Sequence, residues 1–576
     1  MLPVCPSKND RSLSRWEFFR GGLYDFSNKR IAVSQETSKA AELVPRLTIN
    51  YGLRYEHYGV QHNNRQNLDS NFYYGPGTGI YQQVRNGQVD LAQQSPVGGF
   101  WAPSWGTAAP RVGFAYDVFG DGKTSLRGGF GISYERNFGN VTYNASFNPP
   151  ASAVIQSSCP PESATCTTLV TYASLGPLGT AGAPTGLPPV ELRWNDPRIH
   201  VAQTQFWSLA LQREVAHNTI VEIGYAGAHG VHLYDLNNFN PNGADQEYLG
   251  DPAVSSTDVN PTSTTCNPGN VSPTGVCLTR ANFQYTNINL RGSFGESAYH
   301  AFNARFQTQN LHATGLSLVA NYTWSHSLDD ISSTFSDSLQ GGSGNGYGSL
   351  GYTNPLDPLL DWGNSDFDVR SRFVVSPIWE TPWFKSEKGL GEALGGWSVV
   401  GVFTARTGIP FNAYDIDNVF NDYTLPRLTP STPITNYHVS SNPSCCVNNT
   451  PNNFLLMTLP APLSVAPLNP TLGISDFGPF PAGMTGRNAF RGPRAWNFDT
   501  AVSKNFKLTE RFGLTFRAEG FNIFNHHNMY TDTFLIGATG PAPTPVIGLK
   551  GGLGSLAEGG NNDERRFGQF SLRVTF

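Results

Sequence analysis

Segments of roughly 8–12 residues that alternate apolar and polar side chains recur along this chain, and the stretches joining them are by turns very short and very long. In LTINYGLRYEHY (47–58), Leu47, Ile49, Tyr51, Leu53 and Tyr55 share one face, while Thr48, Asn50, Arg54 and Glu56 share the other. RVGFAYDV (111–118) and TSLRGGFGISYE (124–135) repeat the pattern around the turn FGDGK, as do QTQFWSLALQR (203–213) and TIVEIGYAG (219–227) around EVAHN. The second half continues with 299–309 and 316–325, 369–379 and 396–406, 496–506 and 512–523, and a last segment, 566–576. A period of two over such lengths marks strands with one apolar and one polar face. About 12 strands result. The connections after 118, 213, 309 and 506 take about 5–6 residues and the one after 379 is longer, whereas those after 58, 135, 227, 325, 406 and 523 take roughly 40–90.

A compact soluble domain rarely carries even one irregular loop of that length. Here six fall on the same side. Strands of this length suffice to cross a bilayer when tilted, and short turns on one side with long loops on the other are the pattern of an outer-membrane barrel. The predicted fold is therefore all-β: an antiparallel outer-membrane β-barrel, partial at about 12 strands, with short periplasmic turns and long extracellular loops. The first strand runs outward and the last runs back, ending at the periplasmic face. Tyr134, Tyr225, Trp324, Trp379, Trp397 and Trp496 lie near strand ends, as an aromatic girdle at the lipid headgroups requires.

Composition agrees. Charged residues are 14% and aromatics 12%, where ordinary soluble domains carry roughly 25% charge. A net charge of −5 offers no basic field for phosphates, which argues against a nucleic-acid partner. No run of apolar residues is long enough for a transmembrane helix. The mean hydropathy of −0.30 reads as soluble, but alternating strands average their lipid-facing signal away. The first residues lack the apolar stretch of a secretory signal peptide.

Six of the seven cysteines form three close pairs in predicted loops: Cys159 and Cys166, Cys266 and Cys277, Cys445 and Cys446; Cys5 stands apart. Close pairs in surface loops suggest local disulfides in an oxidising compartment, and Cys159–Cys166 and Cys266–Cys277 are the candidates. Cys445 and Cys446 could bridge each other, pair elsewhere or stay reduced. No C-x-x-C spacing supports a metal reading. GDGKT (120–124) mimics the end of a phosphate loop, but a strand follows it where that motif needs a helix, so it reads as a hairpin turn. Neither G-x-S-x-G nor H-E-x-x-H occurs, and no catalytic residue or cofactor site is expected. His526 and His527 fall in a loop. Asp357, Asp361, Asp366 and Asp368 form an acidic loop stretch. A cation site is conceivable there, but without calcium-loop spacing solvated carboxylates are the stronger expectation. Glu56, Arg127, Glu222, Arg305, Arg517, Glu519 and Arg573 sit on polar strand faces, where a wide barrel would place its lumen.

PRLTINYGLRYE, PRVGFAYDVFGDGKTSLRGGFGISYER, YTWSHSLDD, SDFDVRSRFVVSPIWETPWF, GWSVVGVFTARTGIPF and KNFKLTERFGLTFRAEGFNIFNHHN resemble, in this order, the C-terminal barrel of TonB-dependent outer-membrane receptors. They are most similar to the Oar-like subgroup that carries a carboxypeptidase-regulatory domain. The resemblance runs from about Pro45 to Phe576, loops excepted. It implies a 22-stranded barrel filled by a plug, energised by an inner-membrane TonB complex, importing large solutes such as siderophore-like chelates or oligosaccharides. The plug, the TonB box and further strands of that pattern have no counterpart here. The expectation is a fragment, with residues 1–44 irregular or non-native, residues 45–576 the C-terminal part of the barrel, and TonB contact only through the missing region. An outer-membrane surface or adhesion protein acting through its loops is the alternative. The final strand, with Phe570, Leu572, Val574 and Phe576 on one face, resembles the signal that the barrel-insertion machinery reads. The implied location is the outer membrane, with its lipid as a partner.

Overall fold

The computed structural model describes residues 46–149, 190–240, 281–332, 351–383, 394–411, 485–531 and 566–576, apart from gaps of one or two residues. It also describes strands at 21–24, 30–44, 414–415, 438–440, 455–458, 535–536 and 546–551.

Fourteen strands form an antiparallel meander: β1 (Gly21–Tyr24), β2 (Arg30–Val44), β3 (Leu47–Tyr58), β4 (Ser104–Asp117), β5 (Thr124–Glu135), β6 (Ala202–Ala216), β7 (Thr219–Asn238), β8 (Tyr285–Thr308), β9 (Leu316–Asp329), β10 (Ser371–Glu380), β11 (Trp397–Arg406), β12 (Ala495–Lys507), β13 (Gly513–Phe521) and β14 (Phe567–Thr575). Each pairs with its neighbours in sequence. Two short segments join the margin of this sheet. Val190–Asn195 runs parallel to the start of β8, and Gly363–Asn364 pairs with the end of β9. All twelve strands expected from alternation are present. The structure adds β1 and β2 within the segment expected to be irregular, with β2 in register along β3 from Ala32↔Tyr58 to Val44↔Leu47. A backbone ladder needs only N–H and C=O groups, so it extends over a stretch whose side chains do not alternate cleanly. Among the described residues no pairing joins β1 to β14, so the sheet is open.

Register places the apolar residues in rows. Ile49, Phe114, Gly128, Leu209, Tyr225, Phe302 and Trp324 follow one another across seven strands. At the far margin Leu572 lies opposite Phe516 and Val574 opposite Leu514. This face stays exposed: Trp324 is 52% exposed and Leu572 69%. The girdle aromatics all share it. Trp379 and Trp397 mark the short-turn end, and Tyr134, Trp324 and Trp496 the long-loop end.

The turns are built as their residues demand. Asp117 closes the β4–β5 hairpin, its carboxylate oxygens accepting the Gly120 and Gly122 N–H groups at 2.9 Å each. Both glycines have positive φ, 75° and 71°, a conformation that residues with a Cβ rarely adopt. GDGKT is thus a hairpin turn, as read from the sequence. At the opposite end β7 and β8 run on for 20 and 24 residues, about twice what a bilayer crossing needs.

The large buried cores lie beyond those crossings rather than in the wall. One gathers Phe72, Val84, Val190, Leu192, Trp194, Phe239, Tyr285 and Ile288 from three long connections and the start of β8. A second holds Phe100, Trp101, Val141 and Ile199. The long loops fold onto one another as a cap.

Candidate functional site

The surface able to meet a solute has two parts, the polar face of the wall and the cap above it. Glu56, Arg127, Glu222, Arg305, Arg517, Glu519 and Arg573 all fall on the polar face by register, as expected. Arg54 pairs with Glu56 at 2.6 Å, and the Tyr58 hydroxyl donates to the other Glu56 oxygen at 2.7 Å. Glu222 stands opposite Arg305 across β7 and β8. Arg517 pairs with Glu519 at 2.6 Å, and Gln569 of β14 also donates to Glu519. Such partly exposed pairs add little stability. Their effect is a wall of both signs that offers donors and acceptors along its height.

Asparagines tie the cap. The Asn71 side chain donates to the Asn195 carbonyl and accepts the Asn195 N–H, both at 2.8 Å. Asn148 donates to the Ser70 and Arg193 carbonyls and accepts from the Arg193 N–H. Asn282 donates to the Val84 and Gly87 carbonyls, both at 2.9 Å. Each amide supplies a donor and an acceptor, so it acts as a one-residue strand between buried loop backbones that would otherwise lack partners.

The densest electrostatic feature lies where β9 and the two following long loops meet. SHSLDD (325–330) ends β9, SDFDVR (365–370) leads into β10, and GRNAFRGPR (486–494) leads into β12. Arg487, 4% exposed, donates through Nη1 to the Asp329 carboxylate and to the Asp329 carbonyl, the latter at 3.1 Å. Its Nη2 donates to Ser332 Oγ at 2.8 Å and lies 3.6 Å from Asp366. Asn488 donates to Asp366 at 2.6 Å. Arg491 pairs with Asp368, which also accepts the Ser327 N–H at 2.8 Å and lies 3.4 Å from Arg370.

The acidic stretch is therefore not a set of solvated carboxylates. Asp361, Asp366 and Asp368 are buried, and only Asp357 is exposed. Two arginines from a distant loop neutralise Asp366 and Asp368. Among the described residues no group of carboxylates, histidines or cysteines is arranged to hold a metal. Arg487 and Arg491 were not singled out in the sequence. The available signal was three arginines crowded before a strand in a chain poor in charge.

Beside this clamp two carboxyls are buried without a cation to neutralise them fully. Asp235, sixteen positions along β7 from its short-turn end and so above the bilayer crossing, accepts the Phe294 N–H at 2.8 Å. Asp330 accepts the Glu296 N–H at 2.9 Å. Burial pushes both carboxyls up to about 7; for Asp330 the Asp329 charge adds to the rise, and Arg487 opposes it. Burial, together with Asp235 and Asp330, also raises the nearby Tyr352 hydroxyl.

The remaining sequence candidates divide. Phe570, Leu572, Val574 and Phe576 lie exposed on or just past β14, on the apolar face. His526 is in the loop after β13 and stacks on Trp496 at 4.1 Å. Cys159, Cys166, Cys266, Cys277, Cys445, Cys446, Cys5 and His527 lie outside the described residues.

The structure aligns with several solved outer-membrane proteins at 10% identity or less. Over 90% of this chain it is similar to the outer membrane transporter YddB from Escherichia coli, at 10% identity and a TM-score of 0.39, covering 53% of that protein. The ferric citrate transporter FecA gives 8%, 0.36 and 96% of this chain against 47% of its own. BauA, the ferric preacinetobactin receptor from Acinetobacter baumannii, gives 8%, 0.34 and 90% against 42%. The chain thus spans about half the length of these proteins or less. No curated protein sequence matches it. The family model described as an outer membrane beta barrel domain matches residues 42–544, which takes in β3 through β13 with their loops. With one face predominantly apolar from β3 to β14 and that match over most of its length, the chain belongs to the outer-membrane β-barrel domain family, and its place is the outer membrane.

Proposed function

We propose that the chain forms the C-terminal barrel portion of a TonB-dependent transporter that takes up a large solute, a siderophore-like chelate or an oligosaccharide. One observation carries the reading: a wall of 14 strands, with charged and amide side chains along one face of β3 to β14, under a cap of loops that are clamped together. About eight strands make a barrel that its own side chains fill, so a wider wall leaves an interior for a solute or a plug. The fixed cap favours selective capture over free diffusion. Coupling to a TonB complex would run through a segment outside this sequence. The exposed Phe570, Leu572, Val574 and Phe576 would be read by the insertion machinery during assembly.

The test is uptake by cells with and without the gene, using radiolabelled ferric chelates and maltooligosaccharides, each with and without a protonophore. A transporter gives gene-dependent, saturable uptake that the protonophore abolishes. Wild-type and deletion cells that take up every probe equally, while differing in surface attachment, would replace this reading with the adhesion alternative.

A further inference from the structure

Toward the long-loop end of β8 to β11, register carries the polar face into the row Asn303, Thr323, Arg372 and Arg406. Arg372 is the second residue of β10 and Arg406 the last of β11, and the two stand directly opposite each other. Both are exposed. Residues so placed have Cβ atoms about 5 Å apart, and like charges there repel. Among the described residues neither guanidinium has a carboxylate within ion-pair distance. By contrast Arg54, Arg305 and Arg517, on the same face, each stand beside a glutamate. The carboxylates of this corner are committed elsewhere. Asp368 meets Arg370 and Arg491, and Asp499, lower on β12, accepts the Asn522 N–H at 2.8 Å and the Asn497 amide at 3.0 Å. In a chain of net charge −5, this facing pair of cations runs against the average.

We propose that Arg372 and Arg406 together bind an oxyanion of the solute, a carboxylate or a phosphate, so that the solute is anionic and not a neutral oligosaccharide. Calling the occupant a solute rests on the transporter reading above. Guanidiniums match either oxyanion in bidentate geometry and hold their charge at any pH. An anion between them turns their mutual repulsion into two charge-assisted contacts. Position selects the outward side. Arg370, two residues before Arg372, already belongs to the clamp through Asp368, so the pair lies where the wall meets the cap. Beside it Thr323 donates to Asn303 at 2.9 Å, and these two add uncharged polar groups for the rest of the solute.

The test titrates the full chain, purified in mild detergent, with pyrophosphate, trigalacturonate and the neutral saccharide maltotriose in a calorimeter. Wild type should bind at least one charged probe about tenfold more tightly than maltotriose, since one charge-assisted hydrogen bond is worth that much. Tighter binding of pyrophosphate assigns a phosphate, and tighter binding of trigalacturonate a carboxylate. Arg372→Gln with Arg406→Gln should remove the preference. Arg372→Lys with Arg406→Lys, which keeps charge without the planar fork, should fall between. Lys507→Gln with Arg511→Gln removes the same charge at the short-turn end and should leave the preference intact. A heat-modifiable gel band checks that each variant is folded. Equal binding of charged and neutral probes by wild type, an unchanged preference in Arg372→Gln with Arg406→Gln, or an equal loss in the short-turn variant would overturn the proposal. Intact anion binding by the purified chain, with no gene-dependent uptake of any probe by cells, would instead overturn the transporter reading and leave the oxyanion site standing.

Discussion

Arg487→Ala removes the cation that joins the loop before β12 to the end of β9 and to the loop before β10. Two buried carboxylates lose their partner, Asp329 and Asp366, 5% and 3% exposed. Breaking a buried pair from one side costs roughly 3–5 kcal/mol, because the remaining charge stays desolvated. Some compensation survives: the Ser332 hydroxyl donates to Asp329 at 2.9 Å and Asn488 donates to Asp366 at 2.6 Å. The expected cost therefore sits at the low end, about 3 kcal/mol, or about 100-fold in the local opening equilibrium. The wall has its own backbone ladder and should not share the loss. Hydrogen exchange in detergent reads this directly. Amides of Asp330, Ser365, Asp366 and Asp368 should exchange about 100-fold faster, while those in the middle of β6 and β7 keep their protection. Arg487→Lys, which keeps charge but loses the planar fork, should fall between. Acceleration below about fivefold in the clamp, or equal acceleration in the wall, would refute the assignment of Arg487 as the tie between these loops.

Acidity should stabilise the cap. A carboxyl raised from about 4 in the unfolded chain to about 7 when folded binds a proton more tightly when folded. Its contribution is full below about pH 4 and is lost as pH rises through about 7. Protease resistance of the loops should therefore fall between pH 5 and pH 8, and Asp235→Asn should flatten the profile. Asn282→Ala strands the Gly87 carbonyl and leaves the Val84 carbonyl with the Gly87 N–H alone, and should cost about 1–3 kcal/mol, seen as easier cleavage within residues 74–91. Phe576→Ser should lower the amount of chain that reaches the outer membrane, measured by membrane fractionation, with little effect on material refolded in detergent. An equal loss in both would argue against a recognition role for the terminal aromatic.

The wall was legible because each crossing strand has one face in lipid. Leu209, Tyr225 and Phe302 declare their side in a period of two, and charged side chains such as Lys504 are scarce enough on the lipid face not to blur it. Legibility faded where the lipid ends. The sequence bounded one strand at 219–227 and another at 299–309, whereas β7 runs to Asn238 and β8 begins at Tyr285. In those extensions Leu236, Asn237, Asn289 and Leu290 are all buried, so adjacent residues lose their contrast and the alternation vanishes. The clamp was invisible for another reason. The aspartates stood out as a cluster, but their partners lie more than a hundred residues away, and no local spacing encodes such a meeting. SHSLDD and SDFDVR were conspicuous as motifs. Only the fold shows that they converge on Arg487 and Arg491.

The placement of the apolar cores in the cap, away from the wall, means that this protein folds against two different solvents. The cap obeys the rules of a small water-soluble domain: burial of Phe72, Trp194 and Tyr285 drives it, and urea, which solvates apolar groups and peptides, opposes it. The wall draws on the dearth of hydrogen-bond partners in hydrocarbon, a force that urea in the aqueous phase scarcely reaches. Denaturation should accordingly proceed in two transitions, the cap melting at a urea concentration at which the strands remain paired. A gel-mobility assay, sensitive to the strands alone, would register as fully native a molecule whose outer surface had already come apart.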